Sequence, residues 1–481
     1  MGGTMKKILI ALGILVALII IGVVAAVSLI DVNSYKPKIE TAAHDATGLE
    51  LKINGKISIS LMPIGVSVSD IHISNKQGQI VGLKKLTIGV ELMPLLHKEI
   101  KVSRCDLDNP VINIVKDTNG KFNFEETDKE TAKKEEKKDA KGAAATAFIV
   151  ESFNIIDGSL VYLDKKAGDK IELRDYNLNI KNFDMGQSGG AMIKQLAFTG
   201  SFSAKELQQK KIIVSNIKAS IKAANGVFEL KPFSFELFKG KGDGDAKADM
   251  SGSTLGIKLD FKLAKFNLET LEDALGQKRN IGGDANMDLA ITAHGKDQKQ
   301  SMSSLNGKFS ITGDNLILYT MDLDRKLDKI ESKQGGLDVL DLGTVFGLDT
   351  IFGAAQPSGE RGAIKKLVSD WKLTNGTAET TDVAVSTVKH RVAMKGKINL
   401  VSERYENLMI GVIDGKGCST LKQTLNGPLT KPKIDTKEAL LNAATAVGGL
   451  FGIKVPQPKQ AAQCDNFYSG SVPAPGGAAA K

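Results

Sequence analysis

The period of hydrophobic and polar positions changes several times along this chain. Ile8 to Ile30, ILIALGILVALIIIGVVAAVSLI, is an apolar run without a charge, and a helix crossing a bilayer core needs about 20 such residues. Lys6 and Lys7 precede it, so the positive-inside rule predicts a cytoplasmic amino terminus and a body on the far side. Lys36 and Lys38 follow closely, which makes the charge asymmetry small. The competing reading is a cleaved export signal, because Ala25, Ala26 and Ser28 supply small residues near the end of the run. The apolar core of a signal is normally about 7 to 15 residues, shorter than this one. Both readings export the chain.

After the run, Asp31 to Thr47 carries Ile39, Ala42, Ala43 and Ala46 at helical spacing, with Pro37 near the first turn and Gly48 as the stop. A short helix at the membrane surface is expected. The period then drops to two: Leu51 and Ile53, an Asn54-Gly55 turn that reads as a hairpin, and Ile57 and Ile59. Val66 and Val68 continue the alternation, which slips by one at Asp70 as a β-bulge would make it, and Ile88 and Val90 follow. Short alternating runs return beyond Phe148 and include Phe198 and Phe202, Phe233 and Phe235, and Ile257, Leu259 and Phe261. Asn267 to Gly276 is expected as a short helix, and 322–331 and 335–352 as helical or irregular. The chain thus divides into a stub and anchor (1–30), an amino-terminal β/α region (31–127), a charged linker or exposed helix (128–147), a long β region (148–434), a carboxy-terminal helix and cysteine segment (435–468) and a disordered Gly/Pro/Ala tail (469–481).

Several of these stretches resemble the AsmA family of bacterial envelope proteins. The likeness is carried by Thr47-Gly48, Met62-Pro63-Ile64-Gly65 and the run Val66 to Asn75 ending in Asp70-Ile71-His72-Ile73-Ser74-Asn75. It continues in Asn109-Pro110-Val111-Ile112-Asn113-Ile114, in the turn Asp117 to Asn123, and in the closing strand Gly427-Pro428-Leu429-Thr430-Lys431-Pro432-Lys433-Ile434. Phe124 stands where many members have Trp. The resemblance is clear at the two ends and covers about 150 residues, while the middle matches only in its strand rhythm. It implies an extended β-groove of the bridge-like lipid-transfer kind, a phospholipid or other acyl lipid as partner, and a single-pass protein of the inner membrane with a periplasmic body. It also implies possible contacts with other envelope proteins and pairing of Cys418 with Cys464.

The residues themselves support a mainly β fold with few helices. Some twenty amphipathic strands must hide their apolar faces in a sandwich, a barrel or a solenoid. An extended, curled antiparallel sheet whose apolar face lines a trough is the expected form, with a packed sandwich core as the alternative. The candidate lining residues are Leu51, Ile53, Ile57, Ile59, Val66, Val68, Ile88, Val90, Phe198, Phe202, Phe233, Phe235, Ile257, Leu259 and Phe261.

Composition narrows the function. Aromatics are 5% with a single tryptophan, which argues against stacking platforms for single-stranded nucleic acid, and no nucleic-acid partner is expected. The net charge of +9 is spread among interspersed Lys and Asp/Glu, which wets outer strand faces and gives at most a modest attraction to anionic head groups. The three cysteines, Cys105, Cys418 and Cys464, and the five scattered histidines offer no zinc-ligand spacing. In an oxidising compartment the two late cysteines could close a loop worth on the order of 3 to 4 kcal/mol.

Gly186 to Gly190 fits G-x-S-x-G literally, but a convincing strand before it and helix after it are missing. Gly240 to Asp249, GKGDGDAKAD, lacks calcium-loop ligand order and reads as a hairpin turn. No catalytic residue, metal or cofactor is expected. The competing roles are a lipid carrier, an anchored scaffold for outer-membrane assembly, and an exported hydrolase using Ser188.

Overall fold

The computed structural model describes residues 31–61, 63–91, 94, 102–124, 149–184, 192–319, 321–331, 360–435 and 466–476. The apolar run 8–30, the charged stretch 128–147, the G-x-S-x-G at 186–190, the stretch 335–352 and, within the expected carboxy-terminal helix and cysteine segment, residues 436–465 with Cys464 lie outside them. No helix among the described residues is long and apolar enough to cross a membrane. The chain forms two compact units, one ending at Gln209 and one starting at Lys210.

The first unit opens with a single turn, Val32–Tyr35, and helix α1, Lys36–Thr47, closed by Gly48 at φ 73°. Nine strands follow: β1 (Glu50–Ile53), β2 (Ile57–Leu61), β3 (Ile64–Asn75), β4 (Gly78–Val90), β5 (Val102–Asp108), β6 (Val111–Lys116), β7 (Ile149–Asp164), β8 (Asp169–Asp184) and β9 (Ala197–Gln209), with the one-turn α2 (Met192–Gln195) before β9. The expected hairpin at Asn54-Gly55 does not form. β1 and β2 lie end to end along the same side of β3, where Asn54 N–H donates to Asp70 O (2.9 Å) and Lys56 N–H to Ser69 Oγ (2.9 Å). The turn residues there bridge a kink in one edge instead of reversing the chain.

The sheet is also not purely antiparallel. β5 and β6 both pair in parallel with β7. Strands on either side of the charged stretch 128–147 thus share one ladder, and the first compact unit runs through to Gln209. The slip read at Asp70 is a residue with φ 52°. Asn109 at the β5–β6 junction, Asp157 on β7 and Asp175 on β8 take the same left-handed conformation (φ 48° to 51°). Asp and Asn tolerate that conformation, and each such residue adds local twist.

The described strands of the second unit pair antiparallel: β10 (Ile212–Ala224), β11 (Val227–Leu237), β12 (Gly240–Asp249), β13 (Leu255–Asn267), β14 (Ile281–Gly282), β15 (Asp284–Gly295), β16 (Asn306–Leu318), β17 (Gly362–Thr374), β18 (Thr377–Ser386), β19 (Arg391–Asn399), β20 (Arg404–Ile413), β21 (Ser419–Pro428) and β22 (Lys433–Asp435). The short β14 pairs with β16. Its helices are α3 (Leu268–Ala274), α4 (Gln298–Ser303) and α5 (Leu323–Glu331). Gly240 to Asp249 is thus a full strand, not a turn.

The core of this unit is local. Phe266, Ala285, Leu316, Val385, Val392, Leu408 and Ile410 are sealed beneath Leu268 of α3 and Leu323 and Leu327 of α5. On the opposite face of the sheet, Val368, Ala384, Ala393 and Ile413 pack against Phe467, Tyr468 and Val472 of the returning carboxy-terminal segment. At this end both sides of the sheet are covered.

Candidate functional site

Register decides which apolar residues share a face, and in each unit it gathers them into rows that cross the strands. In the first unit one row runs Ile59, Val66, Ile88, Cys105, Phe153, Ile180. The next runs Ile57, Val68, Leu86, Leu107, Ile155, Leu178, Phe202. Leu51 joins Ile73, Ile53 joins Ile71 and Leu83, and Val90 pairs with Val102 at the end of β4. Phe198 meets the Phe183 ring at 6.2 Å, and Phe202 meets Tyr176 at 6.4 Å. Burial is uneven: Ile53 and Ile57 are covered, whereas Ile59 and Val66 remain 37% and 40% exposed. Cys105 was not among the expected lining residues. It is a free thiol within the first row, and burial raises its pKa above the ordinary value.

The opposite face of these strands is held by polar side chains. Ser67 and Thr87 hydroxyls lie 3.1 Å apart. Asn154 Nδ2 donates to Asp106 Oδ1 (2.6 Å), Asn179 donates to Asn154, and Arg104 Nε reaches both Asp106 oxygens. Beyond β6, the buried Asn123 accepts from Val115 N–H (3.0 Å) and donates to Asn113 O (2.8 Å), so its amide stands in for a further strand.

In the second unit the rows grade from sealed to open along the strands. Phe266 and Ala285 lie in the core. Next come Phe235, Gly242, Leu263, Met287 and Ile311, then Phe233, Gly244, Phe261, Leu289, Phe309 and Trp371, then Leu230, Ala246, Leu259 and Ile291, and last Phe228, Ala248, Ile257 and Ala293. Leu230, Leu255 and Ile257 keep 38%, 38% and 40% of their surface exposed. The expected residues Phe233, Phe235, Ile257, Leu259 and Phe261 are thus brought onto one face.

What the sequence did not disclose is the floor under them. A Cβ on Gly242 would lie 2.4 Å from the Phe235 ring, and one on Gly244 would lie 2.6 Å from Phe261 Cβ and 2.2 Å from Asp260 O. Phe235 stacks on Phe233 at 6.0 Å and tilts against Phe261 at 6.3 Å. Glycine in β12 therefore seats three aromatic rings across a face that larger residues would push apart.

From β10 to β17 this face crosses seven strands, about 29 Å at about 4.8 Å per strand. Four rows along β13 span about 20 Å. One surface cavity of about 320 Å³ is lined by Lys211, Thr270, Asp273, Ala274, Gly276 and Gln277, none of which belongs to the rows.

The sealed end is fastened by polar contacts. Asp324 of α5 accepts from the Thr387 hydroxyl and from Val388 N–H (3.2 Å), and its Oδ1 lies 2.9 Å from His390 Nδ1. Its carboxyl is held below the usual carboxylate range: burial pushes it up, but hydrogen bonds from Thr387 and His390 outweigh that. On the other side Tyr468 Oη donates to Asp382 (2.5 Å), and Arg391 donates to Val472 O (3.0 Å) and stacks over the Tyr468 ring. Burial and Asp382 push the Tyr468 pKa well up, and burial alone pushes Tyr405 up to about 12. Cys418 is disulfide-bonded and Asn466 bridges to it.

These features define a class of β-sheet protein that seals one end of its apolar face and leaves the rest only partly covered. The chain belongs to the AsmA family: the family pattern matches residues 5–200 and again 184–383. The two matches overlap at residues 184–200. No curated protein and no solved structure matches the chain.

Proposed function

We propose that this is an inner-membrane-anchored periplasmic protein whose apolar sheet face binds or conducts phospholipid, without enzymatic chemistry, in support of outer-membrane lipid homeostasis and envelope assembly. The observation that carries the reading is the graded face of the second unit. Side chains as large as Leu230 and Ile257 stand about 40% exposed in continuous register with a sealed core. Each acyl methylene removed from water there contributes about 0.8 kcal/mol. The acyl chains of one bilayer leaflet span about 15 Å, which the face accommodates. Family membership supports an envelope role, and the apolar run at 8–30 supports the anchor.

The test is site-specific photocrosslinking in the full chain. A photoreactive residue at Ile257 is expected to capture acyl lipid, and one at Lys258, on the opposite face, is not. Capture of protein instead of lipid at Ile257 would favour the second reading, an anchored scaffold that presents this face to a partner in outer-membrane assembly.

A further inference from the structure

Helix α1, together with the turn Val32–Tyr35 that leads into it, has three distinct sides. The first faces the sheet: Asn33 Oδ1 accepts from Ile57 N–H (2.9 Å), Asn33 Nδ2 donates to Ile57 O (3.2 Å), and Glu40 Oε1 accepts from Ile53 N–H (2.8 Å). These side chains pair the edge groups of β1 and β2 that would otherwise be open to another strand. The second side carries Tyr35, Lys38, Ile39 and Ala42 at the i, i+3, i+4, i+7 spacing of one helix face. Tyr35 is 50% exposed and Ile39 42%, and Lys38 Nζ sits 5.4 Å over the Tyr35 ring. The third side, with Thr41, His44 and Asp45, is polar and exposed.

We propose that the Tyr35–Lys38–Ile39–Ala42 side of α1 lies on the surface of an anionic bilayer while the opposite side grips the sheet edge. The occupant follows from three observations. The uncharged apolar run ends at Ile30, one residue before the Asp31 that caps the first turn, so a bilayer-spanning segment would deliver this face at head-group level. A ring with a polar tip, an apolar side chain and a lysine whose stem can lie along the surface are the residue types that favour that depth. The lysine supplies the charge that complements anionic lipid. Because Asn33 and Glu40 fix the helix to β1 and β2, the exposed Ile59 lies about 7 Å along β2 from the clamped Ile57. The open end of the first apolar row thus starts at the bilayer. This rests on the anchor in the proposed function but not on lipid being carried.

The full chain with Trp371→Phe, carrying either Ile39→Trp or Thr41→Trp, is reconstituted into phosphatidylcholine–phosphatidylglycerol vesicles with brominated acyl chains. Bromine quenches a tryptophan only at acyl depth. Quenching at Ile39→Trp is expected to exceed that at Thr41→Trp about threefold, since an interfacial helix sinks only its apolar side. Adding Lys38→Glu is expected to lower the Ile39→Trp signal. Equal quenching at both positions, or none at Ile39→Trp, in protein that floats with the vesicles overturns the inference alone. A chain that does not float with vesicles overturns the anchor reading and the inference with it. An Ile39→Trp signal unchanged by Lys38→Glu overturns the anionic assignment.

Discussion

Replacing Ile257 with Asp separates an open apolar face from a packed one. Ile257 stands in the outermost row between Ala248 and Ala293, so small neighbours leave it upright and 40% exposed. Full burial of an isoleucine is worth about 1.5 to 3 kcal/mol, and about three-fifths of that, 1 to 2 kcal/mol, is the expected loss of folding stability. The new carboxylate keeps access to water, so no large desolvation cost is added. For a bound acyl chain the loss is of another kind. Removing contact with two or three methylenes costs about 2 kcal/mol, and 1.4 kcal/mol is tenfold, so affinity is expected to drop about thirtyfold.

Equilibrium titration with a fluorescent phospholipid reads the affinity, and a urea midpoint at unchanged slope reads the stability. Leu408→Ala, a fully buried core change, is the comparison and is expected to cost about 2 to 5 kcal/mol. If Ile257→Asp destabilises as much as Leu408→Ala, the face is packed and the reasoning fails. If affinity is unchanged, lipid binds elsewhere or not at all.

Four further outcomes are expected. Gly244→Ala forces a Cβ into Asp260 O and Phe261 and should lower stability by about 1 to 3 kcal/mol in urea unfolding, while Gly252→Ala, which meets nothing within 4 Å, should be near neutral. Asn123→Ala leaves the Val115 N–H and Asn113 carbonyl without their amide partner and should cost about 2 to 3 kcal/mol, read the same way. Asp324 ionises below its unfolded value, so its contribution to stability is present above the ordinary carboxylate pKa and lost as pH falls through the depressed one; Asp324→Asn should flatten that acid limb in pH-dependent unfolding. Cys418→Ser, or reduction of the wild type, should expose the segment 466–476 to protease, because Asn466 and Phe467 dock beside Cys418.

Alternation along the chain was enough to predict a β protein and the short helices within 31–47 and 267–276, because these depend on local period and capping; 322–331, read as helical or irregular, is helical from Leu323, and at Asp70 the chain takes a positive φ while the β3–β4 register shifts only between Ile73 and Ser74. Asn267 shows it plainly: its side chain caps Thr270 N–H, as a residue at that place before Leu268 should. The motifs at the amino-terminal end also led to the AsmA family, whose pattern matches residues 5–200 and 184–383 and so covers the middle as well, while the closing motif at 427–434 lies outside both matches.

Tertiary structure decided the rest. Asn54-Gly55 has hairpin chemistry, yet β3 offers its edge to both flanking strands, and long-range pairing outweighs a local turn preference. GKGDGDAKAD has the composition of a loop, yet between β11 and β13 its glycines are the only residues that fit beneath Phe235 and Phe261. Parallel pairing across the charged stretch, and the helices α3 and α5 that seal one end of the rows and leave the other open, involve residues distant in sequence. A period records which face a side chain takes; which strand lies beside it, and whether anything covers that face, is set by packing between segments that no local pattern contains.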